Sequence, residues 1–176
     1  MSLLILSTSL NSDSNSRLLA REAEHVLRAD GAEVTFTDLR ELPLPLCDGE
    51  AAYAHPHVAR ARHLVASADG ILVATPIYNY DASAAAKNFV ELTGDAWENK
   101  TVAFLCSAGG HGSFMSIMAL ANSLMLDFRC VIVPRFVYAT GASFADGKLT
   151  DEKIAARVAE CARAAAKLAA AVKGVP

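Results

Sequence analysis

Five short apolar runs recur along the chain at Leu3–Leu6, Val34–Phe36, Ile71–Ala74, Val102–Cys106 and Val131–Val133. A strand with one wet face alternates apolar and polar residues. A run without alternation is apolar on both faces, as strands of a parallel sheet covered on both sides must be. Between the runs lie segments of helical spacing. Leu18, Leu19, Ala23, Val26 and Leu27 mark one face of a first helix, which Gly31 ends. Val58, Ala61, Leu64 and Val65 mark a second, and Ala82–Leu92 forms a third that stops at Gly94. A fourth, Phe114–Phe128, is apolar nearly all round, which suits either a buried core helix or a subunit contact. The fifth, Ile154–Val172, carries a stripe at Ile154, Val158, Cys161, Ala165 and Leu168, with Thr150 as the expected N-cap.

Strand and helix thus alternate five times, the pattern of an α/β domain with a parallel sheet. Right-handed crossovers leave few orders for five such units. The predicted fold is a flavodoxin-like three-layer sandwich whose five-stranded parallel sheet runs in the order 2-1-3-4-5. A chain of 176 residues has the size for one full core and is short for two. Residues 1–176 are therefore expected to form a single domain.

The formal net charge of −3, with no cluster of Lys and Arg, argues against a nucleic-acid partner. Cys47, Cys106, Cys130 and Cys161 are widely spaced and form no Cys-x-x-Cys pair. They read as reduced thiols of a cytoplasmic protein, with no disulfide framework and no zinc site. His55, His57 and His63 cluster in sequence, but their spacing puts no pair on one helical face, so they read as surface histidines and not as metal ligands. The uncharged stretch Thr101–Leu126 is cut by "SAGGHGS" into halves too short to cross a bilayer. The N-terminal "MSLLILSTS" lacks the basic region and length of a signal peptide. A soluble protein without a membrane partner is expected.

In an open α/β sheet, ligands bind beyond the carboxyl ends of the strands, where the strand order reverses. Three loops of unusual chemistry meet that edge: "STSLNSDSNSR", "TPIYNYDAS" and "SAGGHGSF". The first leads into a helix N-terminus, where unpaired N–H groups and the dipole favour an anion. With its hydroxyls and amides it forms a cup for a phosphate without a lysine, or else a Ser-rich loop with an ordinary N-cap. The second offers Tyr78 and Tyr80 as flat surfaces for a planar heterocycle or for a subunit contact. The glycines of the third let backbone approach a ligand closely, or serve a plain tight turn.

Taken together, these segments resemble the NADPH-dependent FMN reductase family from Leu3 to about Gly141. "TSLNSDS" is similar to that family's Gly-Ser-x-Arg-x-x-Ser loop, and "LRELPLPL" to the Leu-Pro-Leu-Pro stretch after its second strand. "TPIYNYDASAAAKN" resembles its Thr-Pro-Glu-Tyr-Asn-Gly-Ser…Lys-Asn segment, with Tyr78, Asn79, Lys87 and Asn88 matching, and "SAGG" its loop after strand four. The chain departs from the pattern at Thr8 (usually Gly), Asn11 (Arg), Ile77 (Glu) and Tyr80 (Gly).

The resemblance implies an FMN-dependent enzyme with NAD(P)H as co-substrate. Hydride passes to the flavin and then to a small-molecule electron acceptor: a flavin, quinone, azo or nitro compound. It implies a phosphate cup of Ser9, Asn11, Ser14, Asn15 and Ser16. Pro76, Ile77, Tyr78, Asn79 and Tyr80 would line the ring, and Ser107, Gly109 and Gly110 its other edge. The cofactor carries the chemistry, so no side chain is assigned as catalytic. A homodimer or homotetramer is expected, with helix four favoured as the contact. Two other readings stand beside this one: a flavodoxin-like electron carrier without nicotinamide activity, and a structural subunit that has lost the cofactor. A phosphotyrosine phosphatase would need a cysteine in the first loop, and a receiver domain would need acidic residues at the end of strand one; neither is present.

Overall fold

The computed structural model describes residues 1–173. The elements run β1 (Ser2–Ser7), α1 (Asn15–Ala29), β2 (Glu33–Asp38), α2 (Pro56–Ala66), β3 (Gly70–Tyr78), β4 (Asp81–Ala82), α3 (Ala84–Thr93) and β5 (Thr101–Ala108). They continue with α4 (Met118–Phe128), β6 (Val131–Ile132), β7 (Val137–Thr140), β8 (Phe144–Ala145), β9 (Lys148–Leu149) and α5 (Glu152–Val172). The main sheet is ordered β2-β1-β3-β5, with β6 and β7 both paired to the far side of β5, and all these pairings are parallel. This is the expected flavodoxin-like order, with the last strand in two pieces.

The split corrects the sequence reading, which placed that strand at Val131–Val133. Pro134 has no N–H to give a ladder, and Arg135 takes a left-handed φ of 59°. Pairing stops after Ile132 and resumes at Val137, opposite Leu105. The strand that reaches the carboxyl edge is therefore Val137–Thr140, beyond the predicted run.

The apolar runs are continuous because both faces are buried. Along β1, Leu3 and Ile5 pack with Leu19 and Leu27 of α1 and Val158 and Cys161 of α5. Leu4 and Leu6 face the opposite layer, with Val65, Phe89, Trp97 and Leu120. At Gly70 α5 packs tightly on the sheet: a Cβ there would stand 2.9 Å from both the Ala169 Cβ and the Leu3 Cδ2.

Helix boundaries shift for local reasons. Ala82 belongs to β4, and Ser83 caps α3 by accepting from the Ala86 N–H. Asp151, not Thr150, caps α5; it accepts from Lys153 and Ile154, while the Thr150 hydroxyl donates to the Ser143 carbonyl. α4 starts at Met118, not Phe114, after a short 3-10 turn at His111–Ser113. Nor is it buried all round. Ile117, Leu120, Ala121 and Leu124 enter the core, whereas Met118, Met125 and Leu126 are exposed.

All four cysteines are free, and Cys106, Cys130 and Cys161 are buried. Burial raises their pKa values, for Cys161 to about 11 and for Cys130 to about 12, with Cys106 pushed up further still. Among the described residues no helix is long and apolar enough to cross a membrane.

Candidate functional site

The carboxyl ends of β1, β3, β5 and β7 border a cleft of about 360 Å³. Ser9, Asn11, Asp13, Ser14, Asn15 and Ser16 line it from the first loop. Pro76, Ile77 and Tyr78 line it from β3, Ser107, Ala108 and Gly109 from β5 and the residue after it, and Gly141 from the end of β7. A larger cleft of about 540 Å³ lies between the loop after β2 and the start of α3, walled by Leu10, Leu42, Pro43, Leu44, Leu46 and Ala85. Its walls are mainly aliphatic, with Arg40 and Asn88 as the polar residues among them, and it has none of the hydroxyls of its neighbour. The three loops converge on the smaller, polar cleft.

Ser14 is the N-cap of α1. Its Oγ accepts from the Arg17 N–H at 3.2 Å and lies 2.9 Å from the Ser16 Oγ. One hydroxyl of that pair donates to the other, which leaves one proton for a ligand. The Ser9 Oγ accepts from the Asn11 N–H, and the Asn11 Oδ1 from the Asp13 N–H at 3.0 Å, closing the loop as an Asx turn. Ser9, Ser14 and Ser16 are buried. The N–H groups of Ser14, Asn15 and Ser16, in and just before the first turn of the helix, have no acceptor among the described residues. Buried hydroxyls and unpaired N–H groups at the positive end of a helix are the donor set a phosphate needs.

Arg17, unassigned from the sequence, holds this loop from behind. Its Nε donates to the Asp38 Oδ2 at 2.5 Å, and its two terminal nitrogens reach the carbonyls of Ser9, Asn11 and Ser12. The pairing joins residues far apart in sequence, so no local pattern announces it.

Thr8, where the family pattern has Gly, links the first two loops. Its hydroxyl reaches the Ala74 carbonyl at 3.1 Å and lies 3.3 Å from the Ser83 Oγ, which is equally far from the Thr75 Oγ1. β3 then turns back on itself, with Tyr78 opposite Asp81. Asn79 and Tyr80 both take positive φ, 50° and 65°, as a type I′ turn demands. The Tyr80 hydroxyl stands 3.2 Å from where a Cβ on Gly112 would lie, so its side chain reaches the third loop. The Tyr138 hydroxyl donates to the Gly110 carbonyl and lies 2.7 Å from the Ser113 Oγ, which anchors that loop to β7. A Cβ on Gly109 would meet nothing within 4 Å, so the space beside it is open.

Of the residues expected to form the site, Ser9, Asn11, Ser14, Asn15, Ser16, Pro76, Ile77, Tyr78, Ser107 and Gly109 share the one cleft. Asn79, Tyr80 and Gly110 are not among its lining residues: two make the turn and the third accepts from Tyr138. Asp13, Ala108 and Gly141 line it without having been singled out; each lies within or next to a loop read as functional, except Gly141, which follows the unpredicted β7. Asn88, matched to the family's Lys-Asn pair, is occupied elsewhere. Its Oδ1 accepts from the Cys47 N–H and its Nδ2 donates to the Pro45 carbonyl, pinning the Pro-rich segment. The His55 Nδ1 accepts from the His57 N–H, and no group of His, Cys, Asp or Glu among the described residues is arranged to hold a metal.

Comparison with known proteins bears on this geometry. The family model described as NADPH-dependent FMN reductase matches residues 1–145. An NAD(P)H:quinone oxidoreductase of Solanum tuberosum is 29% identical over 177 residues, covering 94% of this chain and 91% of that protein. An NAD(P)H-dependent FMN reductase of Pseudomonas aeruginosa is 30% identical over 156 residues, covering 84% of each. Among solved structures, a flavoenzyme NAD(P)H:(acceptor) oxidoreductase from Paracoccus denitrificans superposes with a TM-score of 0.78 at 22% identity, covering 97% of both chains, which is a likeness of fold.

Proposed function

The chain belongs to the NADPH-dependent FMN reductase family, and from that membership we propose that the polar cleft is where it holds FMN. It is an NAD(P)H-dependent oxidoreductase. When bound, FMN supplies the relay of hydride from the nicotinamide to a second substrate. The protein's part is to bind, orient and shield. Ser9 holds the phosphate by its hydroxyl, the Ser14–Ser16 pair by its one remaining hydroxyl proton, and the first turn of α1 by its N–H groups. Asn11 and Asn15 complete the cup. Pro76, Ile77 and the Tyr78 ring border the isoalloxazine on one side, and Ser107 and Gly109 on the other. Tyr80 and Gly110 act from outside the cleft, on the shape of the loops that border it. The acceptor is a small compound such as a quinone, flavin, azo or nitro compound. The protein works in the cytoplasm, where its free thiols stay reduced, and two copies pair through the exposed face of α4.

One observation carries the cofactor assignment: the buried hydroxyls and unpaired N–H groups of Ser14–Ser16 share a cleft with Pro76–Tyr78 and Ser107–Gly109. The test is a visible absorbance spectrum of the purified protein, titrated with FMN and then with NADPH or NADH without oxygen. A bound flavin that bleaches is the expected result. A bound flavin that stays oxidised with both nucleotides would make the protein an electron carrier, and failure to bind flavin would overturn the site.

A further inference from the structure

Arg17 is the only basic residue of the first loop, and an arginine in a phosphate-binding loop is ordinarily read as a phosphate ligand. Its surroundings argue otherwise. A guanidinium has five N–H bonds, and here every one has an acceptor. The Nε meets the Asp38 Oδ2 at 2.5 Å; one terminal nitrogen meets the Asn11 and Ser12 carbonyls at 2.8 and 3.1 Å; the other meets the Ser9 carbonyl at 3.0 Å and the Asp38 Oδ1 at 3.4 Å. The side chain is 13% exposed and its partner Asp38 7%. Reaching an anion in the cleft would cost Arg17 bonds it already makes, and Asp38 already balances its charge.

The loop's own geometry gives Arg17 a different task. In a trans peptide the C=O and the following N–H point in opposite directions. Gathering the Ser9 and Asn11 carbonyls on one guanidinium turns the Leu10 and Ser12 N–H groups the other way, and neither has an acceptor among the described residues. Asp38 supplies the fixed point. It ends β2 in register with Ser7 of β1, and its Oδ1 also accepts from the Arg40 N–H. We propose that Arg17 is a positioning residue that, braced by Asp38, holds the first loop in the shape that receives the phosphate of a flavin, without touching that phosphate.

This inference rests on the flavin reading above, so its test compares FMN with riboflavin, which has the same ring and no phosphate. Dissociation constants come from flavin fluorescence titrations of the full chain and its variants. Amide hydrogen exchange of residues 9–16, before flavin is added, supplies a readout independent of binding. Arg17→Ala is expected to weaken FMN by roughly 10- to 100-fold, the loss of a charge-assisted network, while riboflavin changes by less than about threefold. Exchange in the loop should accelerate. Arg17→Lys should behave like Arg17→Ala, because a single ammonium cannot span a carboxylate and three carbonyls; it carries the same comparison if the alanine variant does not fold. Wild-type FMN affinity in Arg17→Lys, equal losses for the two flavins, or unchanged loop exchange would each overturn the brace. Wild-type protein that binds FMN no better than riboflavin would overturn the phosphate cup itself, and the brace with it.

Discussion

Tyr80 stands where its turn favours glycine. Both central residues of the β3–β4 turn occupy the left-handed region, and Asn79 tolerates it far better than an aromatic residue does. A non-glycine residue held there costs on the order of 1–3 kcal/mol. With 71% of its surface exposed, Tyr80 recovers little of that by burial. Tyr80→Gly should therefore stabilise the protein by about 1 kcal/mol, raising Tm by roughly 2–4 °C for a chain of this size. Differential scanning calorimetry would measure it, and a lower Tm would mean that the ring's reach to Gly112 outweighs the strain. The contrast between Ser14 and Arg17 shows what a single residue reveals in sequence. Ser14 was readable as a site residue through the resemblance of "TSLNSDS" to the family loop, whose closing Ser it matches, and a cap somewhere in this Ser-rich loop was readable because capping is local. Arg17 was not, since its function depends on Asp38, which only the pairing of β1 with β2 brings near.

At the scale of elements, legibility followed burial. Strands β1, β3 and β5 are covered on both faces, so their apolar runs stood out, and right-handed crossovers narrowed their order to a few, of which the flavodoxin-like one is found. The last strand was half legible. Its apolar start was read, but Pro134 hid the continuation through Val137–Thr140, and with it the placing of Gly141 at the cleft. The β8–β9 hairpin turns on Asp146–Gly147, both at positive φ, which the Asp-Gly pair encodes; its strands are too short to show as a period. Thr150 and Asp151 are both competent caps, and the choice was made by Ser143, a tertiary neighbour that occupies the threonine. Two strand hydroxyls, those of Ser7 and Thr101, are buried without a partner among the described residues. Thr101, the first residue of β5, is fully buried, and its Oγ1 has no partner among the described residues. Thr101→Val removes the stranded hydroxyl at nearly constant shape and should stabilise by about 1 kcal/mol. In urea the midpoint should rise with an unchanged m-value; a lower midpoint would mean that the hydroxyl is satisfied.

At the scale of the molecule, the helical layers are unequally finished. α5 turns Lys153, Arg163 and Lys167 away from the core on its solvent side. α4 instead leaves Met118, Met125 and Leu126 exposed, the last at 77%, opposite the face it buries through Leu120, Ala121 and Leu124. Phe114 and Met115, in the turn before it, are exposed as well. Asn122 stands between Met118 and Leu126 on the helix, but this many large apolar side chains exposed in one region mark an interaction site more often than a monomer's free face. This surface adjoins the third loop, so a second copy seated on it would stand beside the cleft. Pairing through α4 predicts a solution mass of twice the 18.6 kDa of one chain, measured by light scattering on a sizing column. Leu126→Asp should shift the mass to that of one chain without unfolding it, because an aspartate at so exposed a position costs little in the monomer and much when desolvated in an interface. A wild-type mass of one chain would rule the pairing out, and a dimer unchanged by Leu126→Asp would move it to another face.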